Sequence, residues 1–308
     1  MQAGPMSTSP SPVVGARPAR RGLVAWWQAA PLATVFALFF VIPLLLVLAV
    51  SFWQATEYEL IPAFTLQNYA DIFAGCPSTD GDLCVTFKTY LSTLKFSVLT
   101  WLITALLGFA IAYFLAFHIK SQLMQTVLFI VCTVPFWTSN VIRMISWVPL
   151  LGRNGLINQS LMGLGLIDSP VEWLLFSNFS VVLAFVHLYT MFMIVPIFNS
   201  MMRIDRNLLE AARDNGASPW QTVLHVVLPL SRTGLIIGSI FVVALVMGDF
   251  VTVGVMGGQQ IASVGKIIQV QTSYLQFPIA AANAVILLAV VLLMIAAMMR
   301  LVNLRKEL

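Results

Sequence analysis

Apolar residues along this chain come in long blocks separated by short polar segments. Six blocks, at about 31–53, 96–117, 123–147, 177–200, 234–256 and 280–302, are each long enough to cross a hydrocarbon core, which takes about 20 mostly apolar residues. The connections are modest in size and leave no room for a separate soluble domain. The pattern therefore predicts an all-α integral membrane protein, one bundle of six transmembrane helices. Residues 1–28, rich in Pro, Ser and Ala, read as a disordered tail, 29–90 as a first helix with its loop, and 91–308 as a five-helix core. The first block is too long for a signal-peptide core and no small-residue cleavage site follows it, so it reads as a retained span.

Composition and charge orient this bundle. The chain is 59% hydrophobic and 9% charged. Of its 16 Lys and Arg, eleven fall on the side shared by the two termini and the polar segment 203–231, and five on the other. The positive-inside rule then puts both termini and that segment in the cytoplasm. The net charge of +4 is an orientation signal and does not point to nucleic acid. Cys132 lies within a span and reads as a packing residue. Cys76 and Cys84 share the first outer loop, where thiols can oxidise. A bridge there contributes about 2–3 kcal/mol on a chain-entropy estimate, and the alternative is two free thiols. No metal or cofactor site is expected. Asp80 and Asp82 with the cysteines lack histidine and ligand spacing, and His118, His187 and His225 lie far apart.

The segment from Leu208 to Leu230, LLEAARDNGASPWQTVLHVVLPL, reads as a polar helix–turn–helix that must leave the membrane. Asp205 is placed to cap a first helix, and Gly216 to end it in the left-handed region. Ser218, Pro219 and Gln221 then restart a helix as N-cap, first helical position and capping-box partner. Pro229 reads as the point where the surface helix gives way to the next span. Three residues separate Glu210-Ala211-Ala212 from Gly216, with Val226, Leu228 and Pro229 ten, twelve and thirteen residues beyond the glycine. This resembles the E-A-A loop of binding-protein-dependent ABC importer permeases, with Val226 in place of the family's isoleucine.

Several intramembrane residues carry candidate chemistry. Asp249 lies about fifteen residues into the fifth block, where a carboxylate costs roughly 2.5–3.5 kcal/mol and should face the bundle interior or a wet cavity. It reads as a counter-charge for a cationic solute, beside Phe250, or else as a helix-to-helix hydrogen bond or a break near the outer end of the span. In the third block, Trp137, Asn140, Met144 and Trp147 share a helical face. Trp137 offers either a cation–π wall or an interfacial anchor, Trp147 an anchor, and Met144 packing. Arg143 is expected to snorkel to the outer surface. Gly234 and Gly238 form a GxxxG pair that permits close helix approach within or between subunits. Val264-Gly265-Lys266-Ile267 ends like a phosphate loop but lacks its first glycine and its Ser or Thr, so any ATPase must be another polypeptide.

The resemblance extends over about 91–300, through Pro135–Arg143, Gly155-Leu-Ile-Asn, Leu209–Pro219, Met256-Gly-Gly and Gly265-Lys-Ile-Ile. Together these look like the polyamine and opine branch of the family, the spermidine/putrescine importers especially. Met191 stands where members often have proline, so opines or amino-acid derivatives remain the alternative cargo. The resemblance implies a type I permease bundle in the bacterial inner membrane, with a peripheral first helix and a core of helices two to six. It implies two copies of an ABC ATPase, a second homologous permease and a periplasmic solute-binding protein. Coupling to the ATPase would fall to Glu210, Ala211, Ala212, Gly216, Ser218 and Pro219. The competing class is an ion-coupled secondary carrier, which predicts charges in several spans and an inverted repeat. The sequence shows one clear mid-span acid and no convincing repeat.

Overall fold

The structure, a computed structural model, describes residues 21–56, 59–74, 76 and 84–300, with side chains from 28 onward. Asp80, Asp82 and the tail up to residue 20 lie outside the described residues. The chain divides into two units, residues 1–47 and 48–308. The first is helical from Arg21, inside the stretch read as a tail. Its apolar helix, α1 (Gln28–Val50), has no buried side chain up to Val47. A helix apolar on every face needs lipid or partner helices around it.

The second unit begins with a two-stranded hairpin, β1 (Gln54–Ala55) and β2 (Leu60–Ile61), paired Gln54 to Ile61 and Ala55 to Leu60. Asn68 on α2 (Gln67–Ile72) holds its base by donating to the Ser51 and Trp53 carbonyls, both at 2.8 Å. Cys76 and Cys84 are bonded as a disulfide, Cα atoms 4.6 Å apart, just before α3 (Val85–His118). A mass-tagging alkylating reagent is expected to add to these two thiols only after reduction. Labelling of both in fresh, unreduced membranes would rule the bridge out. Transport is expected to survive its loss.

The core of the bundle is built from α3, α8 (Asn178–Met201) and α10 (Pro219–Gly248), each packed on the other two. The inward face of α3 carries mostly small residues, Thr93, Ser97, Thr100, Thr104, Gly108 and Ala112, with Phe96 among them, while Leu91, Leu102 and Leu106 face outward. Such small faces let helices approach closely in lipid, where apolar bulk outside costs nothing. Central α8 buries Val181, Phe185, Leu188, Met193, Ile197 and Met201, residues spaced to cover more than one face. The GxxxG pair is used within the chain. A Cβ on Gly234 would lie 2.4 Å from the Pro196 carbonyl oxygen, and one on Gly238 would lie 2.7 Å from Met193 Sδ, both on α8.

Two sequence expectations fail here, both for backbone reasons. The third block is not one helix. After α4 (Gln122–Thr133) the chain tightens into a 3-10 turn, Val134–Trp137, and restarts as α5 (Asn140–Ile145), bending by 92°. Pro135 begins the tight turn, and extended Thr138 and Ser139 separate the two helices. The path then continues through α6 (Trp147–Leu151) and α7 (Leu156–Gly163). Counted as one span, this bent pair makes the sixth beside five single helices among the described residues. Nor does Pro229 end the surface helix. A π-turn at Val223–Val227 precedes it, and α10 runs on continuously from Pro219 to Gly248. Pro229 has no N–H and leaves one bond unmade inside this helix, directly after the π-turn, where the ladder already departs from its regular pattern.

Candidate functional site

Two places gather the candidate residues, one at each end of α10. At its start, local rules shape the turn. The Asp205 carboxylate accepts from Asn207 N at 3.0 Å and caps α9 (Arg206–Asp214). Gly216 ends α9 at φ +80°, with its N–H donating to Arg213 O and Ala217 N–H to Ala212 O. This is the paired pattern of a Schellman ending. Ser218 Oγ accepts from Gln221 N while Gln221 Oε1 accepts from Ser218 N at 2.8 Å, closing a capping box with Pro219 at the first position. Leu209 is buried in the bundle, and Arg206 donates to Ala116 O at the end of α3. Glu210, Ala211, Gly216, Ser218, Pro219 and Trp220 stay exposed, with Ala212 half-buried. The loop is thus a rigid, anchored knuckle with a free outer face. Behind it, a cavity of about 700 Å³ runs between the last turns of α8 and the middle of α10, lined by Asn199, Asp205, Leu208 and Thr233 among others.

At the other end, α10 stops at Gly248, and Asp249 takes an extended conformation before α11 (Val251–Met256). Asp249 therefore stands at a break near the end of the span, one of the alternatives the sequence left open. Its carboxylate accepts from Thr252 N at 2.9 Å, capping α11, and from Thr252 Oγ1 at 2.7 Å. Tyr189 OH on α8 donates to the same carboxylate at 2.6 Å. The helix-to-helix bond is present, and Asp249 also lines a cavity of about 480 Å³ with Asn140, Met144, Tyr189, Phe250 and Thr252. Gly265, in α12 (Val264–Ser273), packs against this break, where a Cβ would come within 3.0 Å of the Gly248 oxygen. The last span, α13 (Phe277–Arg300), packs on α12 and α10.

The shared face expected of Trp137, Asn140, Met144 and Trp147 does not form, since the break at Thr138 and Ser139 redirects the chain. Trp137 is 84% exposed and does not line the cavity, whereas Asn140 and Met144 do. Trp147 donates instead to His187 Nδ1 on α8 at 2.9 Å. Arg143, expected at the surface, is buried and donates to Asn140 Oδ1, because α5 turns it inward. Tyr189 and Thr252 were missed from sequence. The spacing of Asp249 to Thr252 is a helix-start signal that could have found the latter; Tyr189 sits in an apolar run and gives none.

The comparisons agree with this architecture. Residues 105–307 match the family described as binding-protein-dependent transport system inner membrane component. The chain is 32% identical over 260 residues to the spermidine/putrescine transport system permease protein PotB of Escherichia coli, covering 84% of this chain and 90% of that one. It is 32% identical to the protein of the same name from Haemophilus influenzae, over 79% and 82% of the two chains. A chain from a bacterial ABC transporter involved in import of the acidic polysaccharide alginate superposes with a TM-score of 0.66 at 18% identity, over 91% of this chain and 95% of that one. That likeness speaks for the fold alone. Sequence family and bundle architecture together set aside the ion-driven carrier: the chain belongs to the binding-protein-dependent inner membrane components, a multi-pass permease subunit of an ABC importer and a transport component, not an enzyme.

Proposed function

We propose that this chain forms part of the path by which a small cationic solute of the polyamine type crosses the bacterial inner membrane, through the cavity walled by Asn140, Tyr189, Asp249, Phe250 and Thr252. The observation that carries the reading is the Asp249 carboxylate, the one acid among that cavity's lining residues, held in place by Tyr189 and Thr252. A carboxylate kept at a half-apolar wall is a ready counter-charge for an ammonium group. The spermidine/putrescine names of the relatives support the solute class. Trp137 drops out of the path, lying before the break.

The solute would be delivered by a periplasmic binding protein, with a second permease subunit completing the path. Two ATPase copies would engage the cytoplasmic loop from Glu210 to Pro219, whose rigid caps and exposed outer face suit it to a groove on another protein. Coupling requires that the loop contact the two ATPase states differently, since equal contact shifts nothing.

Asp249→Asn keeps size and most hydrogen bonding but removes the charge. Uptake of labelled putrescine at limiting concentration is expected to fall about tenfold, equivalent to about 1.4 kcal/mol, with the amount of assembled complex little changed. Unchanged uptake would take Asp249 off the path and leave it a cap for α11.

A further inference from the structure

Arg143 is a charge that the bundle ought not to keep. It is 8% exposed, its Nη2 donates to Asn140, and its Nε has no partner. Among the described residues no carboxylate lies within ion-pair distance of it. An unpaired buried guanidinium is costly, and a stability role alone is a poor reason for one. Its surroundings are those of the solute cavity. Its bonded partner Asn140 and its chain neighbour Met144 both line that space, as does Tyr189, whose hydroxyl holds Asp249. One fixed cation thus stands behind the wall on the α5 side, and one fixed anion stands on the wall at the α10–α11 break.

We propose that Arg143 is a specificity-determining residue that limits how tightly the cavity holds a polycationic solute, its fixed charge offsetting that of Asp249. A transport site must bind well enough to admit a solute and weakly enough to release it. A cavity with Asp249 alone would hold a diamine through its full charge. With the guanidinium behind Asn140, the first ammonium group meets Asp249 while a second is turned away from the α5 wall. The inference rests on the cationic-solute reading above.

The test uses the assembled transporter with its ATPase, purified and also reconstituted in liposomes, with labelled putrescine as the probe. Arg143→Gln is expected to raise the solute retained by the purified complex about tenfold, the scale of one fixed charge at intermediate dielectric, and to slow turnover. Arg143→Lys, which keeps the charge but loses the planar fork, is expected to retain solute as the unaltered protein does. Arg143→Met, closer in volume and apolar, serves if the glutamine variant does not assemble. Retention unchanged or lowered in an assembled neutral variant overturns the proposal. So does failure of both neutral variants to assemble while lysine succeeds, which would make the charge structural. If Asp249→Asn leaves uptake intact, the cationic path itself falls; if only the Arg143 variants are silent, that path stands and this inference does not.

Discussion

Gly216→Pro is expected to abolish solute-driven uptake while the subunit remains in the membrane. Gly216 sits at φ +80° and its N–H donates to Arg213 O. Proline is fixed near φ −65° and has no N–H, so it opposes both features and destabilises the turn by more than about 1 kcal/mol. Nothing lies within 4 Å of the space a Cβ would fill, so the damage is to the turn and not to packing in the bundle. The turn sets the angle between α9 and the start of α10, and with it the face offered by Glu210 and Trp220. Glu210→Lys tests the same face without touching the backbone, since Glu210 is exposed. Transport by proteoliposomes and ATPase copurification are the two readouts. Uptake at the unaltered rate in either variant, with the ATPase still bound, would remove this loop from coupling.

Gly234→Val is expected to leave little folded subunit. Its first added carbon would meet the Pro196 oxygen at 2.4 Å, Ser200 Cβ at 2.7 Å and Ile197 Cα at 2.9 Å. Two of these are backbone atoms of α8 and cannot swing aside, so the cost should exceed the usual 1–3 kcal/mol or so of overpacking. A fall of several degrees in the melting temperature of the detergent-purified protein, or its loss from membranes, is the expected measurement. Gly163→Ala is the control, because nothing stands within 4 Å of that site and alanine favours a helix by about 1 kcal/mol. A Gly234 variant as stable as the control would mean that α8 and α10 do not meet as described.

What could be read from sequence divides by the range of the forces involved. The spans follow from composition, and the caps at Asp205, Gly216 and Ser218 follow from bonds within a few residues, so both are legible one segment at a time. The bend in the third block was half legible. Pro135 and the Thr138-Ser139 pair are a stop and a start, but unbroken hydrophobicity argued for a single helix. Arg143 was misread because a cation near the end of an apolar block usually reaches for water. Its burial depends on α5 turning inward, which no local pattern states. Asp249 was flagged by its cost, yet its partner Tyr189 lies 60 residues earlier on another helix. Only tertiary packing brings that pair together.

The unbroken length of α10 has a mechanical meaning. Thirty residues at about 1.5 Å each make a rod about 45 Å long, with Trp220 near one tip and Asp249 just past the other. Its tightest seat is the pair Gly234 and Gly238, where Gly234 meets the backbone of α8 at Pro196 and Ile197 and Gly238 lies against Met193. Such a seat is a fulcrum. A tilt of about 10° around it swings the loop tip by roughly 4 Å and the Asp249 tip by roughly 3 Å the opposite way, at helical rise. A push received at one surface would thus arrive at the carboxylate reversed in direction and little reduced in amplitude.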